Sequence, residues 1–312
     1  MNPEPTSVFA AHAPQAASIA KFFCFDLAIC AAILLVVTGL VSWTVIRYRR
    51  RPGSPEPYQD LGNPKLETIW TVVPTLIVTV LFIGTAYTMH AVNPPVRERT
   101  PDVVVIAHQW WWEYRYPVSG VVTANELHLP AGHDLLLEIC SADVIHDFWV
   151  PDLGAKVDAI PGHPNTLWLG PRQPGKFLGT CAEYCGNEHA LMGIRVMVDT
   201  PEDFAIWAQA QLRPHRAPSG ELAAQGADLF KHRTCQNCHT ISGTAAKGKV
   251  GPDLSHVSSR ETLGAGALMN SPENLAHWIG DPQRYKPGCA MPAQRLAGQQ
   301  VDAIAAFLQE QP

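Results

Sequence analysis

The sequence is short of charge. Asp, Glu, Lys and Arg make up only 16% of its 312 residues, against about a quarter in an ordinary soluble chain. What charge there is leans acidic, a net −5, so the basic surface that nucleic acid demands is missing. Internal repeats and low-complexity blocks are also missing, which sets aside solenoids and fibrous chains. The eight cysteines are not spread as a disulfide framework. Cys181 and Cys185 form one spaced pair, Cys235 and Cys238 another, and both lie close to histidines. Cys24 and Cys30 fall in an apolar run, while Cys140 and Cys289 stand singly. Such pairs point to cofactors rather than covalent staples.

With so little charge in a chain of ordinary apolar content, the apolar residues must be gathered in particular segments. Phe22 to Ile46 is a long apolar run with Asp26 as its only charge. As a helix it would reach about 37 Å, more than the roughly 30 Å of a bilayer's hydrocarbon core. Ile69 to Met89 carries no formal charge and is also long enough to span. Arg47, Arg49, Arg50, Arg51 and Lys65 lie between the two, which places that short loop on the cytoplasmic side and both termini outside. A cleaved signal is the rival for the first run. Its apolar stretch would be only about 7–15 residues and would follow basic residues. Here the run is longer, only Lys21 precedes it and the basic cluster follows, so a retained helix is expected.

The pattern divides the chain into a polar lead over 1–21, a helical hairpin over 22–92 (spans 22–46 and 69–92), a β domain over 93–212, a linker over 213–219 and a helical domain over 220–312. The lead is expected to be poorly ordered or to lie on the membrane surface. Asn93-Pro94-Pro95 should end the second helix. From Asp102, short β-type runs separated by Gly, Pro, Asn and Asp leave no room for crossover helices, as in a Greek-key sandwich. A helix over Pro201–Leu212, with Glu202 and Asp203 in its first turn, should close that domain. RPHRAPS then reads as a linker, followed by helical periodicity at Glu221–Phe230, Ser271–Ile279 and Gln299–Leu308.

GTCAEYCGNEHALMGI is the most informative stretch. It sets Cys181, Cys185, His189 and Met192 in a C-x3-C-x3-H-x2-M array before a strand, and SADVIHDFW adds His146. Thiolates, imidazoles and a thioether are donors suited to redox copper. Two cysteines on one loop can each bridge a pair of coppers, with one histidine per metal and with Met192 and the carbonyl of Glu183 as weak donors. The cysteine and histidine spacing taken alone fits zinc as well, and an oxidised Cys181–Cys185 bridge is a third reading. Met192, a poor zinc ligand, and a haem motif on the same chain favour redox metal.

Taken with HQWWWEY and with ETIWTVVP on the second span, SADVIH and CAEYCGNEHALM give residues 22–200 a pattern that resembles cytochrome c oxidase subunit II. The resemblance implies a cupredoxin fold around a binuclear copper A centre held by His146, Cys181, Glu183 through its carbonyl, Cys185, His189 and Met192. Gln109, Trp110, Trp112 and Tyr114 match the family's Q-W-x-W-x-Y, which gives Trp110 the part of the surface residue that admits electrons. It also implies that the Glu183 carboxylate reaches a magnesium or manganese ion shared with subunit I. Glu67 would mark the mouth of a proton path. On their own, adjacent aromatics more often pack a core, and a glutamate at a helix end is more often a solvated charge. Asp143 and Asp147, flanking His146, would at most join an acidic docking surface.

CQNCH at 235–239 places two thiols to bond one haem, with His239 set to ligate its iron. CxxC also serves thiol redox and zinc, so the context matters. ELAAQGADLF precedes it, and GPDL, YKPGCAMPA and a last helix VDAIAAFLQ follow. Residues 218–312 thus resemble an all-α class I cytochrome c, with Met291 as the sixth ligand. Met269 is the alternative ligand but lacks the KPGxxMP setting; His232 and His256 are expected to be exposed. Cys289 has no role assigned.

A copper A subunit fused to a cytochrome c is the pattern of bacterial oxidases whose subunit II carries its own cytochrome. The expected function is electron input to a haem-copper terminal oxidase in the bacterial cell membrane. Electrons would run from haem c to copper A and on to subunit I, which reduces dioxygen and moves protons. The expected partners are subunits I and III, membrane lipid, and as donor a cytochrome c or an upstream respiratory complex; nucleic acid is not expected. A copper-A-containing nitric oxide reductase subunit and a membrane-tethered electron shuttle are the alternatives.

Overall fold

The computed structural model describes residues 6–56, 58–59, 62–93 and 99–312. The chain divides into two units, residues 17–95 and the remainder, the latter including the first sixteen residues. The smaller unit is a pair of long helices, α1 (Pro14–Arg47) and α2 (Pro64–Val92). Both are long and apolar enough to cross a membrane, and large side chains such as Leu34 and Phe82 stand exposed along them. Asn63 caps α2 by accepting the N–H groups of Lys65 and Leu66, and Pro64 sits in the first turn, where its missing N–H costs nothing. Along α2 the hydroxyls of Thr68, Thr71, Thr75 and Thr79 each donate to the carbonyl four residues back, so these groups need no partner from lipid. The Phe22 ring packs at Gly84, so the pair is antiparallel. Pro94 and Pro95, expected to stop α2, lie outside the described residues; the helix ends at Val92 with Asn93 as its cap.

The first helix starts eight residues before the apolar run. Residues 14–21 are mostly helix-compatible Ala, Ser and Gln, and hydropathy alone does not reveal them. The described part of the lead, residues 6–13, is not loose. The N–H of His12 donates to Asp152 O at 2.8 Å, its ring packs on Phe177, and Ala13 joins the sandwich core.

Ten strands follow: β1 (Val103–His108), β2 (Trp111–Arg115), β3 (Val122–Ala124), β4 (Glu126–Pro130), β5 (Leu135–Ser141), β6 (His146–Trp149), β7 (Val157–Ala159), β8 (Asn165–Leu169), β9 (Gly175–Cys181) and β10 (Gly193–Asp199). They form two five-stranded sheets, ordered β3-β2-β1-β5-β8 and β4-β10-β9-β6-β7. β1 runs parallel to β5 and β10 parallel to β4, and the other neighbours are antiparallel. Inward alternation along β1 buries Val103, Val105 and Ala107, and Trp112, Tyr114 and Phe148 fill the space between the sheets. The aromatic run HQWWWEY is no single strand: it turns at Gln109–Trp110 as the hairpin of β1 and β2.

Helix α3 (Pro201–Gln211), capped by Thr200, lays Trp207 flat on His128 and against Tyr116 to close one end. The linker is pinned rather than free: the Arg216 and Ser219 N–H groups donate to Gln311 and Glu310, just beyond the last helix. Then come α4 (Glu221–His232), α5 (Cys235–Cys238), a two-residue-strand hairpin of β11 (Thr262–Leu263) and β12 (Leu268–Met269), α6 (Pro272–Gly280) and α7 (Gly298–Gln309). α4 crosses α7 at Gly226, where an added Cβ would sit 1.9 Å from the Ala303 carbonyl oxygen. Only glycine allows that approach. Phe230 and Phe307 pack edge to face beside the crossing.

Candidate functional site

β6 begins at His146 and β9 ends at Cys181, on neighbouring strands, so the sheet itself brings imidazole and thiol together. The turn after β9 carries Cys185, and one 3-10 turn, His189–Leu191, swings His189 and Met192 round before β10 starts. The two sulfurs lie 3.8 Å apart. His146 Nδ1 is 3.8 Å from Cys181 Sγ and His189 Nδ1 is 3.6 Å from Cys185 Sγ. The Glu183 carbonyl oxygen lies 3.3 Å from Cys181 Sγ, and Met192 Sδ lies 3.9 Å from Cys185 Sγ. The six donors therefore fall into two matching halves around a sulfur pair.

Burial opposes ionisation of both thiols. At Cys181 it is outweighed by His146 and by the backbone of Asp147 and Glu183, so this thiol falls below its ordinary range. At Cys185, burial and then the adjacent Cys181 push the thiol up to about 12. Two thiolates this close need positive charge between them, and the converging soft donors fit copper ions. Asp143 holds His146 from behind: its carboxylate meets Nε2 at 2.8 Å, leaving Nδ1 for the sulfur side. It also accepts the Gln109 N–H. Asp143 is therefore an orienting partner of His146 while remaining exposed itself, and Asp147 is buried. Glu67 stands in the first turn of α2, one turn after the Asn63 cap.

In the helical domain a cavity of about 320 Å³ has Cys235, Cys238 and His239 in its wall together with Met291 and Cys289. His239 Nδ1 lies 2.8 Å from Pro252 O, which as a donor leaves Nε2 unprotonated for iron, and burial holds the ring neutral. Gly251 is required beside it, because a Cβ there would reach within 2.5 Å of the imidazole. Met269 is exposed on β12 and absent from the cavity wall. His232 is exposed, whereas His256 is buried and bonds the carbonyl of Pro312, contrary to the sequence expectation. Thiols, imidazole and thioether share one apolar chamber, as covalent haem c requires.

Trp110 belongs to both places. It lines the cavity, and its Nε1 donates to the carbonyl of Cys185 at 3.0 Å, beside a 2.7 Å bond from Gln109 Nε2. Trp112 and Tyr114 are fully buried core residues. Three further residues have no role that the sequence assigns. Arg260 lines the cavity, buried, with no partner for its Nε among the described residues. Glu126 reaches from β4 to the N–H groups of Glu261 and Thr262. Lys286 is buried beneath Trp110. A side chain's place in an interface leaves no mark on local spacing.

Cytochrome C oxidase subunit II, transmembrane domain, matches residues 6–85, and its periplasmic domain matches 118–199; cytochrome c matches 223–312. A cytochrome c oxidase subunit 2 of Alkalihalophilus pseudofirmus is 34% identical over 95% of this chain and 87% of its own. This chain belongs to the cytochrome c oxidase subunit II family. The Bacillus subtilis cytochrome c oxidase subunit 2 is 30% identical over 91% of this chain and 87% of its own. The solved periplasmic domain of subunit II of cytochrome oxidase from Bradyrhizobium japonicum is 31% identical, covering 38% of this chain and 96% of that one, with a TM-score of 0.36. The protein is thus a membrane-anchored oxidase subunit with an extracytoplasmic sandwich and a fused cytochrome c, passing electrons to the catalytic subunit of a haem-copper oxidase. Its subunit II domain implies copper A and its cytochrome domain implies haem c.

Proposed function

We propose that electrons enter this subunit at a haem c held by Cys235, Cys238, His239 and Met291. They leave through a copper A pair held by His146, Cys181, the Glu183 carbonyl, Cys185, His189 and Met192. The observation that carries this reading is Trp110, which walls the haem cavity and hydrogen-bonds the main chain of Cys185. When bound, the two centres accept and release single electrons. The chain's part is to hold their ligands still. The sheet fixes His146 and Cys181, Asp143 fixes the imidazole, and Pro252 fixes His239. As an iron ligand Met291 would raise the haem's potential relative to a nitrogen ligand. Arg260, buried in the cavity wall, would offer a bound haem a cation.

By family resemblance, the Glu183 carboxylate serves a magnesium or manganese ion at the border with subunit I. On the same ground Glu67 serves the mouth of a proton path, and subunit III and a cytochrome c or upstream complex complete the assembly. Electron paramagnetic resonance of the purified oxidase tests the metal assignment. A mixed-valence two-copper signal is expected, lost in Cys185→Ser while the haem c spectrum persists. A site holding zinc, or a single-copper signal, would overturn it.

A further inference from the structure

Lys286 belongs to the haem-binding domain, five residues before Met291, yet its ammonium is spent mainly on the other domain. Nζ donates to the carbonyls of Trp110 and Leu191 at 2.7 Å each, and to Gly264 at 3.1 Å. The side chain is buried, and among the described residues no carboxylate stands in its hydrogen-bonding shell. Leu191 lies between His189 and Met192. We propose that Lys286 is a positioning residue for electron transfer: it pins the Met291 loop to Trp110 and to the copper loop, so that the two centres face each other in one fixed arrangement. The inference rests on the reading of the two centres given above.

An ammonium has three donors and no acceptor, and here three carbonyls occupy all of them. Any sliding of one domain over the other would strip a buried cation of a partner, which is among the costlier events in a protein interior. Burial draws the amine down to about 8, still above neutrality, so the pin is charged under ordinary conditions. The interface repeats the device with opposite sign. Glu126, buried in the sandwich, accepts the N–H groups of Glu261 and Thr262 and the Thr262 hydroxyl at 2.9–3.0 Å.

Between the two pins the tip of the β11–β12 hairpin turns through Gly264, Ala265 and Gly266, all at positive φ. That turn aims the Ala265 carbonyl at the N–H of Gly193, the first residue after Met192, at 3.2 Å. A left-handed alanine is strained, so this conformation needs support from its surroundings. The exposed Lys176–Glu261 pair at the rim contributes little. Directed polar contacts, rather than a loose tether with weak docking, set the geometry.

The test is flash reduction of haem c in the intact oxidase, following the appearance of reduced copper at low and high salt. The wild type should transfer at a rate that salt does not change. Lys286→Met keeps the length and removes the charge. A lost bond to a charged group weakens an interface roughly ten- to hundredfold, so transfer should slow at least tenfold and become salt-dependent. Removing a cation beside the haem should also lower its midpoint potential, an effect that mere loss of stability would not produce. Amide exchange at Gly193 should rise in parallel. Glu126→Gln should slow the same step less, and it decides the matter if the Lys286 variant does not assemble. Unchanged rates and exchange with both centres spectrally present would overturn the pin. A wild-type complex lacking either centre's spectrum would overturn the cofactor reading instead.

Discussion

Replacing Gly226 with alanine sets two effects against each other. In the middle of a helix the change should stabilise by about 1 kcal/mol, because glycine is the more flexible in the unfolded chain. The crossing of α4 and α7 opposes it. The new Cβ would lie 1.9 Å from the Ala303 oxygen, 2.5 Å from its carbonyl carbon and 3.0 Å from the Ile304 nitrogen. All three are backbone atoms, so no rotamer change relieves the clash. The helices must separate by about 1.5 Å to restore ordinary contact at 3.4 Å. Overpacking of this kind costs about 1–3 kcal/mol. Separation also loosens the Phe230–Phe307 pair, with ring centroids 5.9 Å apart, which is worth about 0.5–1.5 kcal/mol. The clash therefore outweighs propensity by roughly 1–3 kcal/mol. For a domain of this size the melting temperature should fall by about 5–15 °C. The assay is thermal loss of the Met-ligated haem spectrum in the purified oxidase, wild type against Gly226→Ala. A variant that melts at or above the wild-type temperature would refute the crossing geometry.

Met291→Leu should leave the haem bound through Cys235 and Cys238 while lowering its potential by redox titration; an unchanged potential would point to another sixth ligand. A pH effect should come from Glu113. Burial alone would raise its carboxyl, but His108 and Arg115 bind it and hold it below the ordinary range. A depressed carboxyl stabilises the fold above its unfolded pKa and loses that contribution as pH falls through the folded one. The melting advantage of wild type over Glu113→Gln should therefore shrink on acidification below about pH 4.5. A difference that stays constant down to about pH 3 would disprove the pairing.

What the sequence made legible was whatever is local. The proposed copper donors cluster between Cys181 and Met192 apart from His146, and β6 and β9 bring that histidine in by ordinary strand pairing. CQNCH stood out because covalent haem attachment would fix the spacing of its thiols and histidine, and the fold brings Met291 into the same cavity wall. The two apolar helices followed from composition, although the start of α1 did not. Gln15 and Ala16 are buried there, with Gln15 lying beside Gly154 of the sandwich, and hydropathy does not distinguish such residues from a loop. The two short strands β3 and β7 carry no run long enough to show. The roles of Lys286 and Glu126 were invisible for a different reason, although Lys286 stands in the KPGxxMP run. Each is one charge among many until the fold buries it against backbone more than ninety residues away.

Trp110 carries one more consequence. In a subunit II without a fused cytochrome, such a tryptophan would face solvent, and its surroundings would be shaped by the demands of a visiting protein. Here it is half-buried, packed against the sandwich core and walling the haem cavity. Substitutions around it should be judged by volume and unsatisfied polar groups, as in any core, and not by their effect on surface charge.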